Sequence, residues 1–169
     1  MSLFIHGTCP PLRGWHEMAQ IAGFAACALF VNILVGTIIA PIGFTDAGEF
    51  QSEVLEVQGL VFGLLTVVLM APFFETFIGQ WLPITVAKIA KRNTTYQILW
   101  SSIWFSILHI PNGPAHVIQT FFVGWVLATC FIFCRQESFM KALRVTFLTH
   151  ALHNAVVFLI FLFIHFEHL

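Results

Sequence analysis

Charged side chains are the scarcest class in this chain: Asp, Glu, Lys and Arg make up 9% of its 169 residues, against about 25% in a soluble domain. A water-soluble globule is excluded on that ground. The balance of 7 Lys and Arg against 8 Asp and Glu leaves a net charge of -1, so there is no basic surface for nucleic acid. Cysteine is sparse as well. Cys27, Cys130 and Cys134 lie in apolar runs, only Cys9 has a polar setting, and no CxxC pair exists. Neither a disulfide framework nor a zinc ribbon fits, and the cysteines read as small packing residues. HExxH is absent, and no Ser or Cys has a fixed partner at nucleophile spacing, which disfavours a covalent acyl-enzyme.

What is abundant is apolar mass: 59% hydrophobic residues, 20 of them Phe, with a mean hydropathy of +0.90. It is gathered into continuous runs at Ile21–Ile42, Val57–Leu82, Tyr96–Ile110, Val117–Cys134 and Ala142–Phe166. Alternation of the kind a membrane barrel needs is missing. With about 20 residues per crossing, these runs predict an all-α, polytopic membrane bundle of about five transmembrane helices. The third is short, closed by Pro111-Asn112-Gly113-Pro114. Residues 1–169 are expected to form one membrane-embedded domain, with no repeat and no linker. The first run is too long for a signal-peptide core and reads as a retained span. The residues before it read as an interfacial segment with Trp15 at headgroup depth.

Basic residues fall on alternate connections, at Lys88, Lys91 and Arg92 and again at Arg135, Lys141 and Arg144, whereas Asp46, Glu49, Glu53 and Glu56 form an acidic connection on the opposite side. The positive-inside rule then predicts a cytoplasmic N-terminus and an integral, multi-pass location.

Polar groups inside the runs carry a cost of about 2.5–3.5 kcal/mol for a carboxylate at mid-helix. Glu75 is the clearest case. His109 ends the third run, and His150 and Asn154, four apart, share one face of the fifth. Singly each could be a structural carboxylate, an interfacial histidine or an interhelical hydrogen-bonding group. Together, a desolvated general base and N–H donors for a developing oxyanion describe peptide or ester hydrolysis by water.

The three segments Glu75-Thr76-Phe77-Ile78-Gly79-Gln80, Phe105-Ser106-Ile107-Leu108-His109 and His150-Ala151-Leu152-His153-Asn154 resemble, in order and setting, the EExxxR, FxxxH and HxxxN/D motifs of the CAAX-protease and bacteriocin-processing family of glutamate-type intramembrane proteases. The motif-bearing core covers about residues 57–166. The resemblance implies an intramembrane endopeptidase of a prokaryotic cell membrane, acting on a membrane-anchored peptide or protein near the cytoplasmic face. Glu75 and His109 would activate water, while His150 and Asn154 stabilise the oxyanion. Thr76, Gln80 and Phe105 would support them. Thr76 and Gln80 replace the family's second glutamate and its arginine, reading as an ion pair exchanged as a unit. No cofactor is expected; the alternative is zinc held by Glu75, His109 and His150. Two other readings stay open: a non-catalytic immunity or scaffold protein of the same fold, and an ion pathway that would need oligomerisation, the oligomeric state itself being open. One tension is geometric. Counted from the basic ends of their runs, Glu75 and His150 lie about 9 Å in and His109 about 20 Å in, so the third helix should tilt, start late or be partly re-entrant.

Overall fold

The computed structural model describes residues 10–43 and 59–166; the acidic connection with Asp46, Glu49, Glu53 and Glu56 lies outside them. Among the described residues the chain forms helices joined by turns, with no strand. They are α1 (Pro10–Ile39), α2 (Gly59–Ile89), α3 (Thr94–Ile107), α4 (Pro114–Arg135) and α5 (Phe139–Phe166). All but α3 are long and apolar enough to cross a membrane. At 14 residues, α3 spans about 21 Å, which is short of a bilayer core of about 30 Å.

Two boundaries differ from the sequence reading. Helix α1 begins at Pro10 instead of near Ile21. Pro10 and Pro11 occupy the first turn, where a missing N–H costs nothing. The penalty of about 1 kcal/mol for Gly14 is small beside a 30-residue helix. Residues 10–20, placed at the interface from the sequence, therefore prolong the helix; residues 1–9 of that segment lie outside the described residues.

The second difference decides the site. Helix α2 does not stop at Leu82 but passes through both of its prolines to Ile89. A mid-helix proline clashes with the carbonyl four residues back and supplies no N–H. Here the helix widens ahead of each one, into π-helical turns at Thr66–Met70 and Thr76–Trp81. Widening shifts the ladder: Ala71 N–H bonds Thr66 O, and the next donor in that register would be Pro72. Val67 O is thus deprived of its donor, and Asn154 Nδ2 on α5 donates to it at 3.0 Å. At the second proline Leu82 N–H bonds Phe77 O in the same widened register, and Gly79 O, the carbonyl four residues before Pro83 that its ring displaces, accepts from Ser101 Oγ of α3 at 2.8 Å. Proline is tolerated in a membrane helix when neighbours satisfy the freed carbonyls in this way.

With α2 running to Ile89, Glu75 lies about 21 Å from the basic end of its helix and His109 about 22 Å from the start of α3. His150, on an α5 that starts at Phe139, lies about 16 Å in. The three levels meet without a re-entrant segment, and α3 is a regular helix capped by Asn93 Oδ1, which accepts from Tyr96 N–H at 2.9 Å. The tension arises only if α2 ends at Leu82.

Helix α4 is the central element, packing on α1, α3 and α5. Half of its apolar window is buried, against 22–28% for the other long helices, so those helices present most of their surface outward. Small residues make the close approach possible: Ala28, Ala128, Ala142, Cys130 and Cys134 are fully buried, as expected where packing instead of water exclusion holds helices together. At one end, Arg144 pairs with Glu17 at 2.7 Å and Arg135 donates to Thr85. The start of α1 therefore shares an end with the basic connections.

Candidate active site

The local sequence explains why His109 is fixed. Phe105 lies one helical turn before it, and the Phe105 carbonyl, near the C-terminus of α3, is in contact with His109 Nδ1 at 2.7 Å. A carbonyl only accepts, so Nδ1 carries the proton and Nε2 presents a lone pair. That lone pair faces Glu75 Oε2 at 3.8 Å. From α5, His150 Nε2 approaches the same oxygen at 3.5 Å. His150 Nδ1 is buried without a hydrogen-bond partner, so the tautomer that satisfies the ring best has its N–H on Nε2, pointing at the carboxylate. One imidazole thus offers an acceptor and the other a donor, on either side of one carboxylate oxygen.

Phe105 holds both rings. Its own ring lies 4.7 Å from that of His109 and 5.6 Å from that of His150, centroid to centroid. It fits between two glycines: a Cβ on Gly79 would come within 2.6 Å of Phe105 Cδ2, and one on Gly124 within 3.0 Å of Cδ1. The FxxxH spacing therefore delivers two things from one residue, a carbonyl for the imidazole and a ring for it to rest on.

Glu75, His109, His150 and Asn154 all line one cavity of about 490 Å³, within the usual range for small-molecule and peptide sites of about 300–1,000 Å³. The structure thus brings together the four residues named from the sequence. Asn154 spends one amide N–H on Val67 O and keeps a second. Thr76 and Gln80 are not the mutual pair that the sequence suggested. Thr76 Oγ1 donates to Pro72 O at 2.7 Å, and the Gln80 carboxamide meets Ser101 Oγ at 2.7 Å. In a π-helical turn the four-residue spacing no longer stacks two side chains as it does in an α-helix. Both are fully buried and tie α2 to itself and to α3, which makes them supports of the backbone that carries Glu75.

Two further histidines of the cavity were given no role from the sequence. His153 is buried and lines the cavity, and the His116 ring stacks on that of His109 at 5.3 Å. His153 had a usable signal, its three-residue spacing from His150. His116 had none, because only the turn after α3 folds it back over His109.

The zinc alternative meets an obstacle in its own donor set. Metal-ligating histidines give their other N–H to an acceptor; His109 does so through Phe105 O, but His150 Nδ1 has no partner. Among the described residues no group of three or more His, Cys, Asp and Glu side chains is arranged to hold a metal ion.

The Asn154–Val67 bond can be tested apart from chemistry. Asn154→Ala should lower unfolding stability in mixed micelles by about 1 kcal/mol. In a Pro72→Ala background the same change should cost little, because removing the proline restores a main-chain donor. Equal costs in the two backgrounds would show that the proline and the amide are unrelated.

A family model described as type II CAAX prenyl endopeptidase Rce1-like matches residues 57–156, more than half of the chain and all three motifs. No curated protein and no solved structure gives a match.

Proposed function

We propose, from the premise that the chain belongs to the Rce1-like family of type II CAAX prenyl endopeptidases, that it is an intramembrane peptidase in which Glu75 activates water against a peptide bond of a membrane-anchored substrate. The observation that carries the reading is the convergence on Glu75 Oε2 of His109 Nε2 at 3.8 Å and His150 Nε2 at 3.5 Å, from two other helices and on a cavity wall. Two acceptors cannot hydrogen-bond to each other, and the 3.8 Å between them leaves them to be joined by a water that donates to both.

In the proposed reaction, water lies between Glu75 and the His109 lone pair and gives its proton to the carboxylate as its oxygen attacks the scissile carbonyl carbon. His150 Nε2–H and the second N–H of Asn154 donate to the oxyanion that forms. The tetrahedral intermediate collapses with cleavage of the C–N bond, and the proton held by Glu75 passes to the leaving amine. Glu75 is back in its starting state, and the products are a carboxylic acid and an amine, which become carboxylate and ammonium when the acid's proton passes to the amine. Every group invoked belongs to the chain.

Glu75 stands near the midpoint of α2, between Gly59 and Ile89. The attack would therefore take place at mid-depth of the bundle, deeper than the membrane-face position suggested by the sequence. The basic end of the bundle, which includes the start of α1, would face the cytoplasm under the positive-inside rule.

The non-catalytic alternative rested on Thr76 and Gln80. Their hydrogen bonds go to Pro72 O and Ser101 and leave Glu75 and both histidines in place, which favours the catalytic reading. For a metal-free mechanism, activity of the purified protein should persist after prolonged chelation and dialysis, with less than one zinc per several chains by mass spectrometry. Stoichiometric zinc whose removal takes activity with it, restored by zinc alone, would replace this mechanism with a metal-assisted one.

A further inference from the structure

The wall of the cavity facing Glu75 is built from α1 and α4, and it holds two carboxamides that the reaction above does not use. Asn32 lies well inside α1, a position where an amide in hydrocarbon is costly without a partner. It lies outside the segment matched by the family model. Gln119 sits on the first half of α4. Both are only partly buried, both line the cavity, and neither makes a hydrogen bond to another described residue. Gln119 meets α1 one helical turn beyond Asn32. Gly36, one turn beyond Asn32, is so close to Gln119 that a Cβ there would come within 2.6 Å of Gln119 Nε2. The glycine makes room for the amide to lie against α1, a turn from Asn32 on the wall of the same cavity.

We infer that Asn32 and Gln119 form a carboxamide shelf that holds the extended main chain of the peptide being cleaved. This rests on the peptidase reading and adds to it the element of substrate that is recognised outside the reacting bond. A helical segment hides its carbonyls, so a membrane-embedded substrate must unwind before water can reach one. Unwinding strips N–H and C=O groups of their partners inside an apolar cavity, where each unsatisfied group is expensive. A carboxamide carries one acceptor and two donors, the complement of a peptide group on each side. An acyl or isoprenoid chain has neither donor nor acceptor and would gain nothing from such a shelf. Main-chain recognition is also indifferent to side chains, so the shelf sets where a strand lies and leaves sequence preference to the apolar lining.

The experiment uses full-length protein reconstituted in liposomes with a mixed-sequence library of lipid-anchored peptides, cleavage being followed by mass spectrometry. Asn32→Leu and Gln119→Leu should each raise KM about tenfold, the scale of one lost hydrogen bond, with kcat within about twofold of wild type. Gly36→Ala displaces only the flexible end of Gln119 and should reproduce the Gln119→Leu effect without loss of folded protein. Unchanged KM in all three, or a fall in kcat at constant KM, overturns the shelf. Binding of the same library to Glu75→Gln protein, by photocrosslinking, separates the shelf from the chemistry. If wild type cleaves nothing yet Asn32→Leu still weakens crosslinking about tenfold, the shelf stands and the peptidase reading falls. If cleavage proceeds but neither KM nor crosslinking responds to these changes, the peptidase reading stands and the shelf falls.

Discussion

Glu75→Gln should lower the cleavage rate of a membrane-tethered reporter by about 10³-fold, within the range of about 10²–10⁴ for loss of a general base, while the amount of folded protein in the membrane stays the same. Glutamine keeps the shape of the side chain, but it cannot take a proton from water. Removing a carboxylate from apolar surroundings relieves a cost instead of adding one, so a fall in protein level is not expected and rate and stability separate cleanly. His109→Ala should be close behind, because the lone pair that shares the water is lost. Reporter cleavage within tenfold of wild type in Glu75→Gln, at equal protein level, would remove Glu75 from the chemistry and with it the hydrolytic reading.

The second large effect is expected far from any reacting atom. Gly79→Ala places a methyl within 2.6 Å of Phe105 Cδ2, and the ring cannot retreat because Gly124 already lies against its other edge. Overpacking of this kind costs about 1–3 kcal/mol. The ring that moves is the one on which His109 and His150 rest. A displacement of about 1 Å at such a site costs about 10²-fold in rate. We expect Gly79→Ala to insert normally, to unfold more easily in mixed micelles and to lose about two orders of magnitude in activity. Phe105→Leu in the same chain should recover part of it by opening the space the methyl needs. If Gly79→Ala is fully active, Phe105 does not set the histidine geometry.

The sequence and the structure agree where lipid imposes the rule. Continuous apolar runs force helices, and costly polar groups mark the site, so the bundle, the motif order and the four convergent residues could be read directly. Agreement ends where tertiary packing overrides a local signal. Pro83 reads as a terminator for α2, but Ser101 on another helix bonds the carbonyl that its ring displaces, and the helix continues. Thr76 and Gln80 read as partners only while the backbone is assumed to be α-helical; the π-helical turn separates them. The role of Phe105 was legible only as half of a motif. That its carbonyl fixes the His109 proton and its ring supports both imidazoles depends on Gly79 and Gly124 arriving from two other helices. Asn32 and Gln119 gave no signal at all, since an isolated amide in an apolar run acquires meaning only from the wall it joins.

The two carbonyls that the prolines leave to partners on other helices also constrain biogenesis. One is rescued by Ser101, which emerges from the ribosome soon after α2. The other waits for Asn154, 87 residues downstream of Val67. A nascent chain that has delivered only its early segments to the bilayer therefore holds an unfinished α2, open at the turn around Val67, about two turns before Glu75. Locking of Glu75, the acid proposed to activate water, into place is in this way made contingent on translation reaching α5, and products truncated before it should be inert.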